Sequence, residues 1–158
     1  MQSVYIETTI PSYLTSRKSR QPALAADQDA TRFWWDTQKN RFRIFTSVFT
    51  LAEAGAGDPV LAGKRLESLE GIPTLDIPDE FERLESDIIQ LFQLPDKAAT
   101  DASHLALAIV HKIDYLLTWN CTHLANAILQ KELMDFCGYH QLHVPVICTP
   151  ETLIKIQP

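Results

Sequence analysis

Hydrophobic and polar residues along this chain follow a two-residue period in some stretches and a helical period in others, and the two kinds of stretch take turns. Ser3 to Ile6 alternates and carries β-branched and aromatic residues, which predicts a first strand, and Pro11 then opens a short helical turn. From about Pro22 to Asn40, Leu24, Ala25, Ala30, Phe33, Trp34 and Thr37 fall roughly at helical spacing, so a helix with its aromatics in the core is expected. Phe42 to Ser47 reads as a second strand, followed by a helix from Thr50 that carries Glu53. Asp58-Pro59 has the form of an N-cap and first-turn proline, starting a helix to about Leu69. Ile72 to Ile77 offers a short third strand. Pro78-Asp79 is expected to cap a helix with an apolar stripe of Phe81, Leu84, Ile88, Ile89 and Leu91. A further helix runs from Pro95 to Ile113, then a strand from Tyr115 to Thr118. Leu124, Ile128, Leu129 and Leu133 mark another helix, Val144 to Cys148 a fifth strand, and Pro150 the start of a last short helix.

Strands that alternate with helices argue for a parallel sheet covered on both faces, a three-layer α/β/α sandwich with a central parallel sheet of four to five strands. The 158 residues fit one domain, taken as 1–158, and show no repeat or linker. In such sheets ligands bind beyond the carboxyl ends of the strands. Three of the expected strands turn polar there: Ile6 gives way to Glu7 and Thr8, Phe45 to Thr46 and Ser47, and Leu117 to Thr118 and Asn120.

Composition narrows the chemistry. The formal charge of −6 argues against nucleic-acid binding by bulk electrostatics, although Arg17, Lys18 and Arg20 cluster after the first strand, as do Lys39, Arg41 and Arg43 before the second. No run of 18 apolar residues is present, and strand-like sequence begins too early for a signal segment, so a cytoplasmic protein without a membrane role is expected. The three cysteines, Cys121, Cys137 and Cys148, form no even, closely spaced framework, and free thiols are expected.

Asp101 is the informative residue. On the helix through Ala98, Ala102, Leu105, Ala106, Ile109 and Ile113 it lies beside Leu105 at the edge of the apolar stripe, where a carboxylate needs a cationic or hydrogen-bonding partner. His104, three residues on, suggests an Asp-x-x-His metal ligand or acid-base pair or, more simply, an ordinary hydrogen bond within the helix. If Glu7, Glu53, Asp101 and Asn120 converge at the sheet edge, the carboxylates repel one another unless protons or a divalent cation neutralise them. Oxygen ligands select Mg²⁺ or Mn²⁺ over Zn²⁺, and such an ion keeps waters that can be activated against a phosphodiester.

The run VYIETTIPSYLTSR, with LAEAGAGDP, LPDKAATDASHLALA, YLLTWNCTHLAN and the closing PVICTPE, resembles PIN-domain ribonucleases of the VapC toxin type over nearly the whole chain. The resemblance is to a subgroup with Glu in place of the usual first Asp. It implies metal-dependent endonucleolytic cleavage of RNA, with Glu7, Glu53 and Asp101 at the three acidic positions and Mg²⁺ or Mn²⁺ as cofactor. Asn120 stands where many relatives carry a fourth acid, beside Thr118; the two would position a water or a phosphate oxygen, and Arg17 or Lys18 would contact flanking phosphates. A cognate antitoxin and a homodimer are implied as well.

Two other readings follow from the residues. A zinc-stabilised binding module would draw on Cys121, His123, Cys137, His140 and His143, whose spacing suits a structural zinc site poorly. A catalytically degenerate PIN domain serving as a binding module is suggested by Glu7, Asn120 and the acidic charge.

Overall fold

In a computed structural model that describes residues 1–155, four strands form one all-parallel sheet in the order β2-β1-β3-β4. They are β1 (Ser3–Ile6), β2 (Arg43–Phe45), β3 (Tyr115–Leu117) and β4 (Val146–Cys148). Helices α1 (Thr9–Thr15) and α2 (Pro22–Thr37) connect β1 to β2. Helices α3 (Val48–Ala54), α4 (Pro59–Ser68), α5 (Phe81–Phe92) and α6 (Ala99–Val110) lie between β2 and β3, and α7 (Ala127–Tyr139) leads to β4.

The central strand shows why the layers form. Val4, Tyr5 and Ile6 are all fully buried, and because successive side chains of a strand point to opposite faces they feed two separate cores. Tyr5 and, from β3, Leu116 pack with α5, α6 and α7 residues such as Leu84, Ile88, Leu105, Ile109 and Leu133. Val4, Ile6 and Leu117 pack with Ile10, Trp34, Ala54 and Leu69 on the other side. Helix α6 is buried without a break from Ala102 to Ile109, as expected of a helix apolar on nearly all sides. One of its few polar groups, the Ser103 hydroxyl, donates to Glu85 at 2.6 Å.

The cap predicted at Asp58 holds: its Oδ1 accepts the amides of Val60 and Leu61, and Pro59 opens α4. The cap expected at Pro78-Asp79 does not form, since α5 starts after Glu80 with no side-chain cap. Helix α3 begins at Val48 under a Ser47 cap, so Glu53 sits in its second turn, later than the sequence suggested. The expected strand Ile72 to Ile77 reduces to one bridge, Thr46 with Thr74. Pro73 lacks a donor for a longer ladder, and among its neighbours only Leu75 is buried. The expected helix at Pro150 is a single hydrogen-bonded turn, closed by the Thr152 and Leu153 amides on Thr149. Phe33, expected in the core, is 50% exposed, and Ile128, on the helical stripe that marked α7, is 72% exposed. Each lies on the outer side of an amphipathic helix whose buried positions, Leu133 and Cys137 in α7 and Ala25, Thr31 and Trp34 in α2, define a narrower face.

Candidate active site

Strand order reverses at the two middle strands, β1 and β3, and their carboxyl ends carry Glu7 and Thr118 side by side; the Glu7 amide still bonds the Leu117 carbonyl at 3.3 Å. Glu7 is only 4% exposed. Its Oε1 accepts the Thr9 amide at 2.7 Å and the Thr9 hydroxyl at 2.5 Å. Burial pushes its carboxyl above the usual carboxylate range, while the nearby His104, the Thr9 hydroxyl and amide and the Thr118 hydroxyl pull the other way. A carboxylate held there is short of positive charge.

Glu53 comes from α3 on the neighbouring strand's connection. Its Oε1 meets the Thr8 hydroxyl at 2.6 Å and His104 Nε2 at 2.7 Å. Burial raises its pKa, but the hydrogen bonds of His104 and Thr8 and the charge of His104 outweigh burial and leave it lowered. Asp101, from α6, has a partner as its position demanded: Oδ2 lies 3.0 Å from His123 Nδ1, in the turn after β3. The expected Asp101–His104 pair is not made. His104 is fully buried and faces Glu53 and Tyr5 instead.

The remaining predicted groups join the same edge through short links. Thr9 Oγ1 lies 3.5 Å from Thr118 Oγ1 and accepts the Trp119 amide at 2.8 Å, and Thr118 Oγ1 accepts the Asn120 amide at 3.0 Å. Asn120 Oδ1 accepts the His123 amide at 3.0 Å, so its oxygen shapes the turn that presents His123. Trp119 is half-buried, stacked on Tyr13 at 5.7 Å with its ring nitrogen donating to Thr31. Arg17 and Lys18 are exposed beyond α1; among the described residues the Lys18 ammonium pairs only with Asp29, at 3.6 Å.

Glu7, Thr118, Asn120 and Asp101 therefore stand in one hydrogen-bonded chain that runs through Thr9 and His123, and Glu53 stands in a separate set beside it with Thr8 and His104, whose charge also acts on Glu7. Thr8 and Thr9 were assigned no part from the sequence, and His104 and His123 were assigned other ones, a pair with Asp101 and a place in a zinc module. Two signals bear on them: hydroxyls directly after a strand-end acid, and a His three residues past an Asn that can close a turn.

The hydrogen bonds to each acid fall on one oxygen, Glu7 Oε1, Glu53 Oε1 and Asp101 Oδ2. Among the described residues no three His, Cys, Asp or Glu side chains lie close enough together to hold a metal ion directly. That removes the zinc-module reading: Cys121 is exposed, Cys137 is buried, and His143 bonds the Ile113 carbonyl. For a hard cation the chemistry of the donors fits, since they are oxygens, carboxylate-rich and, at Glu7, in need of a counter-charge. Among the described residues no helix is long and apolar enough to cross a membrane.

No family model matches the chain, and no curated protein matches it. A chain in the crystal structure of VapBC2 from Rickettsia felis, bound to a DNA fragment from their promoter, shares the fold with a TM-score of 0.59 at 11% identity, over 94% of this chain and 98% of that one. The resemblance read in the sequence thus holds as a likeness of fold, a PIN-like α/β sandwich with an all-parallel sheet.

Proposed function

We propose that this protein is a Mg²⁺- or Mn²⁺-dependent endoribonuclease that hydrolyses RNA phosphodiester bonds, acting as the toxin of a toxin-antitoxin pair. The observation that supports the reading is that Glu7, Glu53 and Asp101, from the end of β1, from α3 and from α6, lie in two adjacent hydrogen-bonded sets near the carboxyl edge of the sheet, with His104 acting by its charge on both Glu7 and Glu53. Carboxylates gathered there from distant parts of the chain cost free energy that no packing role explains.

Glu7, Glu53 and Asp101 would hold the cation together through its waters, with no more than two of them touching it directly. The bound ion would lower the pKa of a water and offset charge on the phosphate. Thr9 and Thr118 fix the Glu7 carboxylate, and Thr8 and His104 fix that of Glu53. Asn120 would offer its NH₂ to a phosphate oxygen, its carbonyl oxygen being engaged in the turn. Arg17 and Lys18 would meet flanking phosphates, adding a local basic edge to an acidic molecule. The fold likeness to a chain of VapBC2 supports an antitoxin partner; the antitoxin would cover this edge, and the protein would act as a homodimer in the cytoplasm.

The test is incubation of the purified protein with unstructured RNA and Mg²⁺ or Mn²⁺, beside Asp101→Asn. Cleavage by the wild type and none by the variant supports the proposal, whereas equal cleavage by both removes it. One observation favours a second reading, a degenerate PIN domain that binds protein or RNA without cutting: Asp101 is already paired with His123. Stable RNA binding with no cleavage at any metal concentration would select it.

A further inference from the structure

His104 is fully buried at this edge, and both of its ring nitrogens are engaged. Nε2 lies 2.7 Å from Glu53 Oε1, and Nδ1 lies 2.6 Å from the Tyr5 hydroxyl. That hydroxyl lies a further 2.6 Å from Ser47 Oγ and 3.4 Å from Thr50 Oγ1. Ser47 in turn caps α3 by accepting the amides of Phe49 and Thr50, and Thr50 donates to the Ile6 carbonyl. The contacts close a ring: from Glu53 in the second turn of α3, through α6 and β1, back to the cap of the same α3.

Nε2–H faces the Glu53 carboxylate in either charge state of the imidazole, and in the neutral form the remaining protons of the ring have one consistent placement. Nε2–H donates to the Glu53 carboxylate, Nδ1 accepts the Tyr5 O–H, and the Tyr5 oxygen accepts from Ser47. Every donor then has an acceptor, in a site where an unmatched one would be costly. Helix α3 has seven residues, too few to hold a shape alone, so the place of Glu53 depends on what grips the helix. Only the far end of the ring meets solvent: the Glu53 side chain is 40% exposed while that of His104 is 0%.

We propose that His104 is a positioning residue for the cation-binding step, holding Glu53 Oε1 through the Ser47–Tyr5–His104 chain and so fixing the carboxylate whose second oxygen, free of hydrogen bonds among the described residues, would be available to the ion. Resting on the nuclease reading, this adds a residue that carries no metal itself. Removal of an outer partner of a metal-binding group commonly weakens metal affinity about 10- to 100-fold.

The test is Mn²⁺ binding by calorimetry, with RNA cleavage followed across a Mn²⁺ titration, for wild type, His104→Ala, His104→Gln, Tyr5→Phe and Leu105→Ala. His104→Ala is expected to weaken Mn²⁺ binding about tenfold or more and to raise the Mn²⁺ needed for half-maximal cleavage in parallel, with a smaller change in the rate at saturating metal. His104→Gln, which can still donate to Glu53, should recover part of the affinity. Tyr5→Phe, with an intact ring and one hydroxyl fewer, should weaken binding a few-fold, and it serves if His104→Ala does not fold. Leu105→Ala, a core change on the same helix, should lower the melting temperature and leave Mn²⁺ affinity unchanged. Unaltered Mn²⁺ affinity in both His104→Ala and Tyr5→Phe, with an active wild type, overturns the role of His104 alone. A wild type that neither binds Mn²⁺ nor cleaves RNA overturns the nuclease reading and this inference with it.

Discussion

The two ends of the sheet both use a carboxylate to join β1 to β3, and they use it in opposite ways. At the amino end Asp114 accepts the Ser3 amide at 2.8 Å and the Ser3 hydroxyl at 3.1 Å, and its own amide donates back to Ser3 Oγ at 2.9 Å. That is a reciprocal clamp, made of one acid and its donors. At the carboxyl end Glu7 is buried deeper, has Glu53 near enough to share His104, and is pushed toward its protonated form by burial. An acid that exists to hold strands together is matched locally; one that is left in need of charge points to a ligand.

The sharpest way to break this contrast is to neutralise one acid at each end. Glu7→Gln and Asp101→Asn should each lower RNA cleavage by at least about a hundredfold, the scale expected when a group that stabilises transition-state charge is removed. Asp114→Ala should leave the cleavage rate unchanged while costing about 1–3 kcal/mol of stability, read as a fall in melting temperature of several degrees. Loss of cleavage in Asp114→Ala at a temperature where it remains folded would erase the distinction.

The next effect concerns stability. Because the folded state raises the pKa of Glu7, it binds that proton more tightly than the unfolded chain does. The contribution is therefore complete below the ordinary carboxylate pKa and lost as pH rises through the raised value. At neutral pH without metal, Glu7→Gln should melt higher than wild type, by roughly 2–4 °C if the relief is near 1 kcal/mol. Mg²⁺ should narrow the gap by stabilising the wild type more. Glu53 has the opposite sign: its lowered pKa contributes stability above the ordinary carboxylate range that is lost on acidification through the lowered value. As Glu53 is half-exposed, solvent screening keeps that contribution small, and thermal melts of Glu53→Gln against pH should show only a slight slope.

The smallest effect is expected at the basic loop. Arg17→Ala with Lys18→Ala should weaken RNA binding a few-fold at low salt and flatten the dependence of log K on log salt by about 0.7 for each phosphate no longer neutralised. Unchanged binding and salt slope would remove these two residues from the RNA path.

How far the site could be read from residues alone differs from group to group. Asp101 was identifiable as a carboxylate in need of a partner, because its place on the edge of the α6 stripe follows from helical geometry within a few residues. The partner was not identifiable: His123 lies 22 positions away, across a strand and a turn. His104 shows the same limit more sharply. Its spacing from Asp101 favoured a bond within the helix, and the burial of that face against β1 turned it to Tyr5 and Glu53. The missing third strand has a local cause in Pro73, whereas the exposure of Ile128 depends on which side of α7 the sheet occupies.

Layer order, the four strands of the sheet and the polar character of the strand ends are written in the chain, since alternation, caps and helical stripes act over a few neighbouring residues. The pairing of acids with their partners is not, since 7, 53, 101, 104 and 123 meet only after β1, α3, α6 and the turn beyond β3 have packed. Hydrogen bonds and charges act over a few ångströms, and distances that short between remote residues exist only in the folded protein.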